Sequence, residues 1–170
     1  MMKHVSIFGY ICLIGMLCCA VCVAQGEFEE VDKGSIPEKY LAPSLKTHPS
    51  GISIWDEEEA MAKLKDDTAN VLWIDTRPTS FFNAGTVKDA IMLVYDKNEE
   101  IPAELQGEKQ ILTKESLSEA VEKSGAATIA FFCQGPKCHR SYNAALHAVS
   151  TWGYDTDTVV WFRAGYPGLL

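Results

Sequence analysis

Two cysteines that lie five positions apart carry the clearest chemical signal in the sequence. Cys133 follows the apolar, strand-like run of residues 127–132, and Cys138 ends a turn-forming segment that contains Gly135. From Tyr142 onward, apolar residues recur at the spacing of a helix face. A thiol between a strand end and a helix start meets backbone N–H groups, which lower its pKa and attract anions. The pattern therefore predicts a reactive thiol that acts on a negatively charged substrate.

The polar residues around the two cysteines are the candidates for binding that substrate. Arg140 is expected to hold an oxyanion with its guanidinium fork, and Lys137 adds a second positive charge at the mouth of the loop. His139 is a candidate for proton transfer, although a histidine in a polar loop is more often simply exposed. Backbone N–H groups from Gln134 onward are expected to stabilise an anion as an oxyanion hole does. The expected substrate-binding or anion-binding residues are Gln134, Gly135, Lys137, His139, Arg140 and Ser141.

Cys138 has three interpretations that the sequence leaves open. It is a thiol that resolves an oxidised or persulfide form of Cys133, or the nucleophile itself, or a residue that only fills space. The other four of the six cysteines lie within residues 1–24. A bridge between Cys133 and Cys138 would close a very short loop and stabilise the fold little. The placement of the pair therefore favours chemistry over a structural disulfide.

No metal or other cofactor is expected at this pair of cysteines. Two thiols are too few ligands for a structural zinc ion. The order Cys133, Cys138, His139 is also similar to a haem attachment motif, but the usual motif has two residues between its cysteines and here there are four. Haem is therefore the least favoured interpretation.

The first 24 residues have the pattern of a secretory signal peptide. Lys3 gives a short basic start, residues 5–23 contain no Asp, Glu, Lys or Arg, and small residues precede Gln25. Cleavage after Ala24 would release a periplasmic or secreted protein. The alternative is an uncleaved inner-membrane anchor formed by residues 5–23, a run close to the length that spans a bilayer.

The rest of the chain is acidic. Without residues 1–24 it keeps 14 of the 15 Lys and Arg residues and all 23 Asp and Glu residues, a formal charge of −9. Binding of nucleic acid phosphates needs a basic surface. The charge balance therefore argues against nucleic acid as a partner.

An arm or linker over residues 25–50 is predicted to precede one domain over residues 51–170. Glycine and proline recur in the arm, and no hydrophobic period persists there. It is either a tether or an ordered arm that packs on the domain. The apolar residues available for such packing are Phe28, Ile36, Tyr40 and Leu41.

Helices alternate with short apolar strands within the domain. Strands are predicted over residues 71–75, 90–94, 127–132 and 158–162. Helices are predicted over residues 57–64 after a capping box at residues 53–56, over 79–83, from Thr113 to Gly125, and from Tyr142 to Gly153. Residues 96–112 show no clear pattern. Such alternation predicts an α/β fold with a parallel sheet, helices on both faces, and Cys133 beyond the carboxyl end of its strand.

Several segments between residues 51 and 168 resemble the rhodanese, or thiosulfate sulfurtransferase, homology domain. Residues 71–77 resemble the family's strand that ends in Asp-x-Arg. Residues 131–133 and 140–145 resemble the strand and the helix that flank the family's active cysteine. Residues 159–165 resemble the family's closing strand. Residues 81–90 are similar to the family's next segment, in which the sequence Gly-His-Ile-Pro-Gly-Ala is common. In this chain Thr86 stands where that sequence has histidine. The resemblance implies a three-layer α/β fold with a central, mainly parallel sheet.

The resemblance also implies roles for individual residues. Cys133 is the nucleophile that carries sulfur as a persulfide, and Asp75 and Arg77 form a structural ion pair near the site. The pattern Cys-x-Gly-Pro-x-Cys-x-Arg-Ser is similar to a subset of exported single-domain rhodaneses and to cysteine-pair proteins linked to quinoprotein-dependent oxidation. It places Arg140 seven positions after Cys133, whereas the family's common loop places its arginine five positions after the cysteine.

Three functions follow as hypotheses. The favoured one is an exported sulfurtransferase that moves a sulfane sulfur from thiosulfate, or a similar small anion, to a thiol acceptor through a Cys133 persulfide. The second is a periplasmic thiol-disulfide or persulfide redox protein that uses Cys133 and Cys138 with a redox partner. The third is a rhodanese-like binding module without catalysis.

Overall fold

The computed structural model describes residues 28–96 and 110–170 of the 170-residue chain. The expected signal segment, residues 1–24, lies outside the described residues, as does most of the segment 96–112. Within the described ranges, no helix is long and apolar enough to cross a membrane. The signal peptide and the alternative anchor therefore stay predictions.

Short strands and helices alternate along the described residues. The strands are β1 (Ser53–Trp55), β2 (Val71–Asp75), β3 (Ile91–Met92), β4 (Thr128–Phe132) and β5 (Val159–Phe162). The helices are α1 (Glu38–Leu41), α2 (Glu57–Lys65), α3 (Thr79–Ala84), α4 (Lys114–Ser124) and α5 (His139–Ser150), with a 3₁₀ helix at Tyr166–Leu169.

The strands of the described residues form one parallel sheet in the order β1-β5-β4-β2-β3. Phe132, the last residue of β4, pairs with Asp75 on one side and with Phe162 on the other. Because these strands end at the same level, the residues that follow them gather at one edge of the sheet. The predicted α/β fold is confirmed, with Cys133 at that edge.

Both faces of the sheet are buried. Phe131 and Trp161 belong to a core that includes α4 and α5, whereas the neighbouring Phe132 and Phe162 belong to a second core that includes Ala60 of α2. Successive side chains of a strand point to opposite faces, so adjacent residues enter different cores. Because both faces are buried, the strands consist mainly of continuous runs of apolar residues rather than of alternating apolar and polar residues.

Helix α4 begins and ends where the sequence predicts. The Thr113 hydroxyl accepts a hydrogen bond from the Ser116 N–H (3.2 Å), and the Ser116 hydroxyl accepts one from the Thr113 N–H (2.8 Å). Gly125 follows the helix in the left-handed conformation, with φ of 62°. Because α4 ends at Ser124 and β4 begins at Thr128, only a short connection separates the helix from the strand that leads to Cys133.

The capping box predicted at residues 53–56 is wrong. Ser53 begins β1 and pairs with Val160, and the reciprocal capping contacts fall on Asp56 and Glu59 instead. The Glu59 carboxylate accepts a hydrogen bond from the Asp56 N–H at 3.1 Å. The pattern misled because pairing with β5, more than 100 residues away, determines where the strand ends and the helix begins.

The described part of the arm packs on the domain. Asn143 on α5 accepts a hydrogen bond from the Val31 N–H (3.1 Å) and donates one to the Val31 carbonyl (2.9 Å). The Glu30 carboxylate accepts a hydrogen bond from the Tyr95 hydroxyl and lies 2.9 Å from Nδ1 of His147. These contacts are those of an ordered arm rather than of a tether.

We expect His48 to make the stability of the fold depend on pH. It lies between the rings of Tyr40 and Tyr142, where burial, and to a lesser extent the charge of Lys39, lowers its pKa to about 4. Because the unfolded histidine binds a proton near pH 6.5, we expect stability to fall as the pH drops from 6.5 to about 4. The loss is at most about 1.4 kcal/mol per pH unit.

Denaturant unfolding over this pH interval measures the slope, with the variant His48→Gln as the control. The variant should show a shallower dependence of unfolding free energy on pH. Equal slopes in the two proteins would contradict the assignment to His48.

Candidate active site

The segment of residues 133–138 connects the central strand β4 to α5 and contains both cysteines. Cys133 is 2% exposed, whereas Cys138, the N-cap residue of α5, is half-buried. Their Sγ atoms are joined in a disulfide, with the Cα atoms 6.1 Å apart, an ordinary separation for a disulfide. The structure therefore holds the pair oxidised, and a free Cys133 thiol requires its reduction.

Hydrogen bonds from neighbouring strand ends fix the backbone at Cys133. The Phe132 carbonyl accepts hydrogen bonds from the N–H (3.0 Å) and the hydroxyl (2.8 Å) of Thr76, which follows β2. The Cys133 carbonyl accepts one from the N–H of Tyr166, which follows β5 (2.9 Å). The backbone at Cys133 is thus held from both sides by the segments that follow β2 and β5.

Gly165 lies against this loop so closely that no side chain fits. A Cβ at Gly165 would be 2.4 Å from the Cys133 carbonyl oxygen and 2.7 Å from the Gly135 nitrogen. Its φ of 67° with ψ of −175° is a conformation that only glycine adopts readily. Within the loop, the Gly135 carbonyl accepts a hydrogen bond from the Cys138 N–H at 3.0 Å.

A buried ion pair lies beside the loop. Asp75 is fully buried and Arg77 is 2% exposed, and Arg77 Nη2 lies 2.6 Å from Asp75 Oδ2. The Thr86 hydroxyl donates a hydrogen bond to the same carboxylate at 2.7 Å. Arg77 also donates to the Gly85 carbonyl (2.7 Å) and to the side-chain oxygen of Gln134 (3.2 Å). The pair therefore holds the residue that follows the buried cysteine.

The two positive side chains predicted to bind an anion differ in their surroundings. Lys137 is 71% exposed, and its nitrogen lies 3.8 Å from a carboxylate oxygen of the exposed Glu38. Arg140 is half-buried, and its Nε donates a hydrogen bond to the Tyr95 carbonyl at 3.2 Å. The Lys137 side chain is thus a solvated positive charge at the loop. The Arg140 guanidinium is partly held in place by the Tyr95 carbonyl, which follows β3 in the chain.

His139, the first residue of α5, is half-buried rather than exposed. Its Nδ1 is buried and has no hydrogen-bond partner among the described residues. Burial lowers the pKa of His139, and the positive charge of Arg140 lowers it further. Both effects favour the neutral imidazole.

The Ser141 hydroxyl does not fit the predicted role in anion binding. Ser141 is 1% exposed, and its oxygen accepts a hydrogen bond from Nε1 of Trp161 at 3.3 Å. The side chain points into the core between α5 and β5. The sequence shows that Ser141 is near the loop but not which side of α5 it occupies.

A cleft of about 500 Å³ lies beside the loop. Arg163, which follows β5, donates hydrogen bonds to the Asp56 carboxylate (2.7 Å) and to the carbonyls of Tyr40 (2.9 Å) and Ala42 (2.8 Å). The arm therefore forms part of the cleft wall. The cleft is lined by Leu41, Pro43, Asp56, Glu57, Gln134, Gly135, Pro136, Arg163, Ala164, Pro167 and Gly168.

The described residues contain no group of three or more His, Cys, Asp or Glu side chains placed to hold a metal ion.

Residues 56–169, about two thirds of the chain, match the family described as the rhodanese-like domain. The chain belongs to the rhodanese-like domain family. The match runs from the N-cap of α2 to the 3₁₀ helix and includes the loop with both cysteines. It confirms the resemblance based on the segments that flank Cys133.

Two solved structures are similar to this rhodanese-like chain. An As-Sb reductase from Leishmania major has 17% sequence identity and a TM-score of 0.48, and covers 68% of this chain and 74% of its own. The N-terminal domain of a "putative ATP/GTP binding protein" from Clostridium difficile 630 has 15% identity and a TM-score of 0.42, and covers 68% of this chain and 95% of its own. No curated protein matches the chain by sequence.

Three residues that shape the loop of this rhodanese-like domain, or the cleft beside it, were not among the predicted site residues: Thr76, Arg163 and Gly165. Thr76 and Arg163 directly follow apolar parallel strands, which is the same signal that identified Cys133. Gly165 lies within the segment that resembles the closing strand, but its contact with Cys133 depends on how two distant segments meet. The sequence could have pointed to the first two residues, but not to the contact at Gly165.

Proposed function

We propose that this rhodanese-like domain is an exported sulfurtransferase. Cys133 would take a sulfane sulfur from thiosulfate or a similar small anion and pass it to a thiol acceptor. The observation that carries the proposal is the position of Cys133 at the carboxyl end of the central strand, with the backbone on either side of it held by Thr76 and Tyr166. A nucleophile held in this way needs little reorganisation to react.

The reaction begins after the disulfide is reduced to two thiols by a dithiol reductant. The Cys133 thiolate attacks the outer sulfur of thiosulfate, a new S–S bond forms, and sulfite leaves with the electron pair of the broken bond. The product is a Cys133 persulfide. Its negative charge would be stabilised by backbone N–H groups of the loop and by the start of α5.

The side chains around the loop have supporting roles in this proposal. Lys137 would attract the anionic donor, and Arg140 would bind an oxyanion with the N–H groups that remain after its bond to Tyr95. The cleft beside Gln134 and Gly135 is where we place the thiol acceptor.

Formation of thiocyanate from thiosulfate and cyanide tests the proposal, because cyanide takes the sulfur from a persulfide. We expect prereduced wild-type protein and Cys138→Ser to form thiocyanate, and Cys133→Ser to form none above background. Both variants lose the disulfide, so each controls for the folding effect of the other. Activity in Cys133→Ser equal to that of Cys138→Ser would contradict the role of Cys133.

The disulfide itself favours a second candidate, a thiol-disulfide redox protein that works with a periplasmic partner. That function predicts reversible oxidation of the pair by a small disulfide without uptake of sulfur from thiosulfate. A protein that neither takes up sulfur nor exchanges disulfides would instead be a binding module.

Export is the part of the proposal that rests on residues 1–24. We expect the mature protein in the periplasmic or secreted fraction to begin at Gln25. An intact N-terminus in the membrane fraction would instead support the anchor at residues 5–23.

A further inference from the structure

We propose that the first thiol to react with the Cys133 persulfide is Cys138 of the same loop, and that this reaction releases sulfide. The inference rests on the proposed function, because it requires the persulfide to form. It adds a product, hydrosulfide, and makes the disulfide seen in the structure a state that each turnover passes through.

The first support is proximity. The structure places the two Sγ atoms in a bond, with the Cα atoms 6.1 Å apart. The hydrogen bond from the Cys138 N–H to the Gly135 carbonyl (3.0 Å) holds the turn that brings them together. A thiol already held within reach of its target reacts as if it were present at a very high concentration.

The second support is the difference in burial between the two cysteines. In the disulfide form, Cys133 is 2% exposed, so an external thiol has poor access to its sulfur in that form. Cys138, at the N-cap of α5, is half-buried. Cys138 is the more exposed residue of the two and is therefore the one that an external dithiol attacks when it reduces the disulfide, which releases Cys133 as a thiolate for the next turnover.

The third support is that stabilisation does not explain this disulfide. A bridge across five positions restricts the unfolded chain little. Outside residues 1–24 these two cysteines are the only ones in the sequence. Cys138 is therefore the one cysteine of the domain with which Cys133 can form an intramolecular disulfide.

The internal step balances without an external oxidant. The Cys138 sulfur attacks the inner sulfur of the persulfide, which is Cys133 Sγ, and forms the Sγ–Sγ bond. The bond between Cys133 Sγ and the outer sulfur breaks, and the outer sulfur leaves as hydrosulfide with that electron pair and the proton of the Cys138 thiol. The outer sulfur is reduced, and the two cysteines are oxidised to the disulfide. An external dithiol then reduces the disulfide and restores both thiols.

The test is a single turnover with protein that has been reduced, freed of reductant without oxygen, and mixed with thiosulfate. Sulfite, sulfide and intact protein mass are measured. We expect wild-type protein to release equal amounts of sulfite and sulfide and to end as the disulfide. Cys138→Ser and Cys138→Ala should release the same sulfite but no sulfide, and should retain one extra sulfur atom.

The outcomes separate this inference from the proposed function. If wild-type protein releases sulfite but keeps the extra sulfur and yields no sulfide, the internal step is wrong while the sulfurtransferase stands. If the wild-type protein and both variants release no sulfite, then no persulfide forms and both proposals fail. The paired Ser and Ala variants show whether a loss of sulfide comes from the missing thiol or from one poorly folded protein.

Discussion

Replacing Gly165 with alanine is expected to destabilise the domain by about 2–5 kcal/mol and to abolish most of its sulfur transfer. The added Cβ would lie 2.4 Å from the Cys133 carbonyl oxygen and 2.7 Å from the Gly135 nitrogen, so the backbone must move. The estimate combines the strain of a conformation reserved for glycine with the cost of overpacking. The movement would also break the hydrogen bond from Tyr166 to Cys133.

Gly125→Ala is the matched control for this prediction. Gly125 also has a positive φ, 62°, but a Cβ there meets nothing within 4 Å. Alanine should therefore cost about 1 kcal/mol, the conformational term alone, with no loss of sulfur transfer. Denaturant unfolding and thiocyanate formation measure the two effects. Equal destabilisation in the two variants would mean that the close approach to the loop has no energetic consequence.

The second large effect is expected at the buried ion pair. Asp75→Asn keeps the shape of the side chain but leaves the buried Arg77 guanidinium without its counter-charge, at a cost of about 3–5 kcal/mol. Arg77 also holds Gln134, the residue after Cys133. We therefore expect sulfur transfer to fall as well, as measured by thiocyanate formation under conditions where the variant is still folded.

An exposed ion pair provides the comparison. Glu38→Gln removes the charge opposite Lys137, where both side chains are largely in solvent, and should change the unfolding free energy by less than about 0.5 kcal/mol. If Asp75→Asn were as mild as Glu38→Gln, the pair beside the loop would not be the electrostatic anchor that its burial implies.

The parts of the fold that were predicted correctly depend on residues close together in the chain. The apolar run before Cys133, the helix after it, and the ends of α4 at Thr113 and Gly125 each follow from local periodicity or capping. Because parallel strands place their carboxyl ends at one edge, these local signals also predicted that Cys133 lies there.

The features that the sequence did not predict depend on contacts between distant segments. The capping box lies at Asp56 rather than at Ser53 because β1 pairs with β5. The arm is ordered because Asn143 forms hydrogen bonds with Val31, a residue 112 positions away in the chain. Thr86 replaces the family's usual histidine and donates a hydrogen bond to Asp75, which no local pattern reveals.

The candidate site shows the same division. The place of both cysteines in the loop between β4 and α5 follows from the sequence pattern, but the contacts of the nearby polar residues do not. Ser141 points into the core toward Trp161, whereas Lys137, four positions earlier, is exposed. The burial of Ser141 depends on which side of α5 meets the sheet, whereas Lys137 lies in the loop before that helix.

The location of the transferred sulfur tests the proposed role of Cys133 most directly. Reduced Cys138→Ser is treated with thiosulfate, and its peptides are analysed by mass spectrometry before and after addition of a thiol. We expect one additional sulfur atom on the peptide that contains Cys133, removed by the thiol, and no addition in Cys133→Ser. Absence of added sulfur on Cys133, or equal addition in Cys133→Ser, would contradict that role.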